Sequence, residues 1–267
     1  MSGALLEIEN LSVSYRGEDG RESVAASGVS LSLNRGESLC IVGESGSGKS
    51  SVAMSVPRLL PSPPAFYPEG KIFFKGEDVL SMPPDALRAV RGKHIGVVFQ
   101  EPIGSLSPLH RIGEQLVETL LLHSDISRAA ARAMALEWLE KVGIPEPLQR
   151  FKAYPHELSG GMQQRVMIAM ALILGPDLII ADEPTTALDV TVQAQILDLM
   201  RSLVGKSSAL LLITHDLGVV ARMATKLAVM KDGKVIEKSE DVIAFFTEPK
   251  HPHSRALVAE ARKMELH

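Results

Sequence analysis

Residues 43–50 read GESGSGKS, directly after the apolar run SLCIV at 38–42. A short, continuous apolar run that ends at glycine is the pattern of a strand buried on both faces. The residues after the loop, 49–60, read as a helix, stopped by PSPP at 61–64. A strand, a glycine-rich loop matching G-x-x-x-x-G-K-[ST] and a helix together make a phosphate cradle. Gly43, Gly46 and Gly48 permit backbone conformations and close approach that a side chain would block, so consecutive N–H groups can point at phosphate oxygens. The helix beginning near Lys49 adds its positive end. Lys49 is placed to reach the β- and γ-phosphates, and the Ser50 hydroxyl to bind Mg²⁺. The plain alternative is a glycine-rich turn with a surface lysine.

A second stretch, LIIADE at 178–183, carries an apolar strand to the C-terminal edge of a sheet, where open α/β folds bind ligands, and delivers Asp182 and Glu183 there. Adjacent side chains on a strand point to opposite faces, which predicts different tasks for the two acids. Asp182 would hold Mg²⁺ through water, and Glu183 would polarise an attacking water. Gln100 closes HIGVVFQ, another strand-like run, where its amide can touch Mg²⁺ and sense the γ-phosphate. His215 follows LLLIT in the same way; a neutral imidazole there can hydrogen-bond the γ-phosphate and orient the water. Read singly, the acids could be solvated strand-end residues and the histidine an ordinary surface or core residue.

The rest of the chain fits an α/β frame. Residues 5–15 and 30–33 alternate apolar and polar as half-buried strands do, whereas 17–27 reads as loop. The stretch 102–157 is rich in Ala and Leu and reads as a helical insert, with a clear helix over 127–142 capped by Ser127 and stopped by Gly143. Short apolar strands recur at 178–181 and 210–214, each followed by polar residues and a helical stretch, which implies a mainly parallel sheet covered on both faces. At 267 residues a single core would bury roughly three quarters of the unfolded surface.

Composition excludes several classes. With 45% hydrophobic and 22% charged residues and a formal charge of −4, the composition is that of a soluble globular protein and makes no electrostatic case for nucleic acid, which would favour a basic face. Its longest apolar run, 166–174, falls far short of the ~20 residues a membrane-spanning helix needs. The opening MSGALLEIENLSV lacks the basic and apolar segments of a secretory signal, so a cytosolic location is expected. Cys40, the only cysteine, lies in a buried strand pattern, and neither an internal disulfide nor a cysteine-ligated cluster can form. His251 and His253 flank a proline and lack the further ligands of a metal site.

Taken together with LSGGMQQRV at 158–166 and ALD ending at Asp189, these residues resemble the ATP-binding subunits of ABC transporters over nearly the whole chain. The resemblance implies a P-loop NTPase fold of the ABC type: a mixed or parallel core sheet, an N-terminal antiparallel β subdomain and a helical subdomain bearing the signature. It implies one ATPase domain over 1–267, with the core at 1–100 and 161–250, the helical subdomain at 101–160 and a C-terminal tail at 251–267. The implied nucleotide contacts are Tyr15, as the aromatic that stacks on adenine, then Gly43, Glu44, Ser45, Gly46, Ser47, Gly48, Lys49, Ser50, Ser51 and Gln100. Mg²⁺ would be held by Ser50, Gln100 and Asp182, with Glu183 and His215 catalytic and Asp189 in the aspartate loop. In the family the signature caps the γ-phosphate held by the opposite subunit; here Ser159, Gly160, Gly161 and Met162 take that place, with Met162 standing where glutamine is usual. Two such modules must then sandwich two ATP molecules.

The strings FQEPIGSLSPLHRIGEQL, YPHELSGGMQQRVMIAMAL, ITHDLGVVA and HPHSRAL look like oligopeptide, dipeptide and nickel importers, with peptide import favoured. RLLPSPPAFYPEGKIFFKGEDVL looks most like the first half of the duplicated ATPase in microcin C type peptide importers, so the chain is either a separate subunit or one such half. The implied partners are a second ATPase module, two transmembrane permeases gripped through the helical region, and indirectly an extracytoplasmic binding protein. The implied place is the cytoplasmic face of the bacterial inner membrane. A soluble ABC ATPase acting on chromosomes or DNA breaks would need a long coiled coil between Lys49 and Ser159, for which there is no room; a ribosome-acting one would need two modules and a basic linker. A small-molecule P-loop kinase would need neither LSGGM nor His215.

Overall fold

The computed structural model describes residues 3–100, 104–185, 190–203 and 208–264. In chain order the elements are β1 (Leu6–Arg16), β2 (Glu22–Leu33), β3 (Ser38–Val42), α1 (Lys49–Ser55), β4 (Ala65–Phe74), β5 (Glu77–Asp78), α2 (Pro84–Val90), β6 (Ile95–Val98), α3 (Ile112–His123), α4 (Arg128–Lys141), α5 (Pro147–Arg150), α6 (Gly160–Leu172), β7 (Leu178–Asp182), α7 (Val190–Leu203), β8 (Ala209–Thr214), α8 (Leu217–Met223), β9 (Lys226–Lys231), β10 (Lys234–Ser239), α9 (Val242–Thr247) and α10 (Pro252–Met264). They fall into two compact units: one runs up to Leu87 and resumes at Ala209, the other spans Arg88–Ser208. Among the described residues no helix is long and apolar enough to cross a membrane.

In the first unit, β1 is the centre of an antiparallel sheet ordered β2-β1-β4-β5. Leu6 and Ile8 face inward, and a register shift around Asn10, whose φ is +47°, resets the alternation so that Leu11 and Val13 are buried as well. The segment 17–27, expected as loop, is instead a tight turn followed by the start of β2: Arg16 pairs with Glu22, Tyr15 with Ser23 and Val13 with Ala26. Periodicity misses this because Glu22, Ser23 and Val24 are all exposed. Main-chain pairing and the Arg16–Glu22 ion pair at 2.7 Å hold the strand.

The same unit holds parallel pairs of β3 with β8 and with β9, and β10 runs antiparallel on β9. SLCIV in β3 and ALLLIT in β8 are buried at every position, as strands covered on both faces must be. The helix expected over 49–60 is shorter. Arg58 adopts φ +51°, and the amides of Leu59 and Arg58 return to the carbonyls of Met54 and Ser55, a left-handed C-terminal closure. The Arg58 guanidinium then donates to the carbonyls of Met82 at 2.8 Å and Val79 at 3.3 Å, which gives this unusual closing residue a tertiary anchor.

The second unit joins the parallel pair β6 and β7 to a helical core. On α3, Ile112, Leu116 and Leu120 form one buried face; on α4, Ala131, Ala135 and Leu139 form another. The caps of α4 are those expected: Ser127 Oγ accepts from the Ala130 amide at 3.2 Å, and Gly143, with φ +72°, ends the helix. Phe151 packs so tightly on Gly113 that a Cβ there would lie 2.2 Å from its ring. Helix α6 buries Val166 and Ala169 in this core and leaves its N-terminal end outside.

Cys40, paired in β3 with Leu212 and Leu227, is fully buried, and burial pushes its thiol far above the ordinary range. The thiolate is the reactive form. The native chain should therefore show no labelling by a disulfide reagent such as DTNB over minutes, and one equivalent after denaturation. Fast labelling of the folded chain would mean that the strands around β3 open readily.

Candidate functional site

The loop between β3 and α1 is shaped by its neighbours. A Cβ at Gly43 would lie 2.1 Å from the Met230 carbonyl oxygen, and one at Gly48, whose φ is +94°, would lie 2.1 Å from that of Ala25. Neither position tolerates a side chain, so the glycines are there for close approach as well as backbone freedom. The Gly233 amide adds a hydrogen bond to the Ser47 carbonyl at 3.2 Å. Lys49 is buried, and its Nζ donates to the carbonyls of Gly43 and Glu44, each at 2.8 Å, with Ser47 Oγ at 3.5 Å. The ammonium is thereby held over the loop rather than extended into solvent. Glu44, Ser45, Gly46 and Ser50 are exposed.

Tyr15, half-buried on β1, shares a hydrogen bond with Ser51 of α1 at 3.1 Å between hydroxyl oxygens. This ties the strand to the helix that follows the loop. His215 comes directly after β8 and is exposed; the next residue, Asp216, caps α8 by accepting from the Gly218 amide at 2.7 Å and the Val219 amide at 3.4 Å. The Asp216 amide in turn donates to Thr214 Oγ1 at 3.0 Å, so the turn that presents His215 is fixed at both ends.

The second unit carries the acids. Asp182 is the last residue of β7 and is buried; Glu183 is half-buried and lies beyond the strand, with φ +44°. The two acids therefore have different surroundings, as expected, but the cause is a left-handed turn at Glu183 and not strand alternation. Gln100, just beyond β6, donates through Nε2 to Glu183 Oε2 at 3.4 Å, which brings together two of the residues singled out in the sequence. Gln164, which sequence reasoning passed over, is buried on α6 and donates to the Pro184 carbonyl at 2.6 Å. It pins the turn next to Glu183 to helix α6; nothing in the run Gln163-Gln164-Arg165 marked which of the polar residues turns inward.

The residues read as the signature lie at the start of α6. Ser159 caps α6 and accepts from the Met162 amide at 3.4 Å, while Ser159 and Gly160 are exposed and Gly161 is half-buried. Met162 packs against the helical core, so its side chain acts on packing behind the helix end. Gln163 Nε2 donates to the carbonyls of Pro155 and Leu158 and fixes the approach to that end. Of the residues singled out, Tyr15, 43–51 and His215 thus lie in the first unit, and Gln100, 159–162, Asp182 and Glu183 in the second. Asp189 lies outside the described residues.

Comparison with known proteins adds independent findings. A family model described as ABC transporter matches residues 26–186. The chain is 53% identical over 262 residues to the peptidoglycan transport ATP-binding protein YejF of Agrobacterium fabrum, covering 98% of this chain and 48% of that protein. It is 48% identical over 262 residues to the oligopeptide transport ATP-binding protein OppD of Bacillus subtilis, covering 98% and 73%. The chain thus spans about half the length of YejF and about three quarters of OppD. Among solved structures, the dimeric post-hydrolysis state of the ATP-binding cassette MJ0796 bound to ADP and Pi is similar, with a TM-score of 0.78 at 31% identity over 88% of this chain and 97% of that one.

The left-handed backbone of Glu183 has a measurable consequence. A non-glycine residue in a sparsely populated region carries strain of about 1–3 kcal/mol, against about 0.5–1 kcal/mol for the extra entropy of glycine. Glu183→Gly should therefore raise stability by about 1 kcal/mol, or ~2–4 °C in Tm by calorimetry. A lowered Tm would show that contacts of the carboxylate outweigh the backbone term.

Proposed function

We propose that this chain, which belongs to the ABC transporter family of ATP-binding proteins, binds ATP with Mg²⁺ and hydrolyses it to ADP and phosphate to power a membrane importer of peptides. The observation that carries this reading is the phosphate loop, whose glycines lie against two neighbouring carbonyls and whose lysine is folded over the loop by two more. Loop amides and Lys49 bind the phosphates, and the exposed hydroxyl of Ser50 with Gln100 and Asp182 is the donor set for Mg²⁺, all oxygen-bearing side chains as a hard cation prefers. The ion, when bound, neutralises charge on the phosphate oxygens. Glu183, oriented by Gln100, accepts the proton of the attacking water, and His215 orients that water toward the γ-phosphate. Tyr15 stacks on the adenine.

Ser159, Gly160 and Gly161 act in trans, on ATP held by a second module, so that binding closes the pair and product release reopens it. That exposed helix end, with its serine cap, suits a phosphate better than a packing role. In this reading the helical region around α3 and α4 receives a short cytoplasmic helix from each of two permeases, and the module works at the cytoplasmic face of the bacterial inner membrane. An extracytoplasmic protein selects the cargo. The relatives named for oligopeptide and peptidoglycan transport favour a peptide cargo, with peptide antibiotics of the microcin C type as the finer assignment. Nickel import is the weaker alternative: one His251 ring nitrogen already accepts the His253 amide at 3.1 Å.

Glu183→Gln should lower phosphate release by about 10²–10⁴-fold while nucleotide affinity is kept. With Mg-ATP the variant should elute from gel filtration as a dimer; a persistent monomer would remove the sandwich. Ser159→Arg should block hydrolysis in the assembled pair with ATP binding by the isolated chain largely intact. Loss of that binding would mean that the signature acts within its own chain.

A further inference from the structure

The C-terminal segment HPHSRAL brings a histidine to the phosphate loop. Glu237 on β10 accepts hydrogen bonds from the Lys250 amide at 2.9 Å and the His251 amide at 2.8 Å. Burial alone would raise its pKa, but the neighbouring Ser254 hydroxyl, these two amides and His251 outweigh that and hold the carboxyl below its usual range. Pro252 opens α10. Its first turn is closed by the Arg255 amide on the His251 carbonyl at 3.0 Å and by Arg255 Nη2 on the Lys250 carbonyl at 2.9 Å. Further along, Arg262 Nη2 donates to the Phe246 carbonyl at 2.7 Å and ties α10 to α9.

His253 sits in this fixed turn. Its side chain is only 11% exposed, and its Nε2 is buried with no hydrogen-bond partner among the described residues. The carboxylate facing that nitrogen is Glu44, with Oε1 at 3.7 Å, and the Glu44 side chain is itself exposed and able to rotate. A buried polar atom left unsatisfied is costly, which favours closing this gap. Glu44 is also structurally central to the loop: its carbonyl receives Lys49 Nζ at 2.8 Å and the Ser47 amide at 3.2 Å. All of these groups belong to the first unit.

We propose that His253 is a positioning residue of the nucleotide site: carrying its proton on Nε2, it donates to the Glu44 carboxylate, holds the Glu44 carbonyl toward Lys49 and so sets the affinity of the loop for a nucleoside triphosphate. The inference rests on the reading of the loop as an ATP site. It makes the C-terminal segment part of the nucleotide-binding machinery.

The test titrates TNP-ATP with Mg²⁺ into the intact chain and into His253→Ala, His253→Gln, Glu44→Ala and the His253→Ala/Glu44→Ala double variant, with Lys49→Ala as control and a melting curve for each. His253→Ala should weaken binding about 3- to 10-fold, the range that one hydrogen bond supplies. His253→Gln, whose amide can donate from a similar position, should recover most of the loss. In the Glu44→Ala background, His253→Ala should have no further effect. Where His253→Ala folds poorly, His253→Leu removes the donor and keeps the buried volume. Unaltered affinity on loss of the donor, or an equal loss with and without the Glu44 carboxylate, overturns the inference alone. Absence of binding by the unaltered chain, or unweakened binding by Lys49→Ala, overturns the ATP-site reading beneath it.

Discussion

The carbonyl oxygens of Ala25 and Met230 leave no room for a side chain at Gly48 or Gly43, and the phosphate loop takes its shape from that contact. The loop is a backbone segment laid into a notch formed by β2 and β9, knitted further by the Gly233 amide on Ser47 and the Ser27 amide on the Gly233 carbonyl. Once it is seated there, Lys49 can fold back over it, because the carbonyls of Gly43 and Glu44 point to the same side. The shape of the loop is therefore set by contacts within the protein. The turn that presents His215 follows the same principle on a smaller scale, with Asp216 and Thr214 fixing its two ends.

In the other unit a packed helical core does this work. Val166 and Ala169 anchor α6 among α3 and α4, so its exposed N-terminal end is carried by a rigid element and not by a loop. Gln164 extends that rigidity to the acidic turn through the Pro184 carbonyl. Glu183 is left in a left-handed backbone conformation that non-glycine residues seldom adopt.

Much of this was legible in the residues because local rules and tertiary structure agree there. SLCIV and the glycines after it give a buried strand and a tight loop; Ser127 and Gly143 mark both ends of α4; Ser159 marks the start of α6. What escaped depends on partners distant in sequence. The first half of β2 leaves Glu22, Ser23 and Val24 exposed in a row and exists through pairing with β1, so no period announces it. Helix α1 stops at an arginine, a residue with no special claim to a left-handed closure, because two carbonyls near residue 80 hold its guanidinium. Alternation at 182–183 suggested the right division of surroundings for a reason that does not hold, since the chain has already left the strand. The anchoring of residues 250–251 on Glu237 joins segments that no short window contains.

The burial of Cys40 also makes the chain convenient for spectroscopy. With a single cysteine in the sequence, and that one sealed between β8 and β9, the surface is blank to thiol chemistry. A cysteine introduced at any exposed position becomes a unique address for a fluorophore or spin label without deleting the native one. Distances within the chain could then be followed on an otherwise unaltered interior.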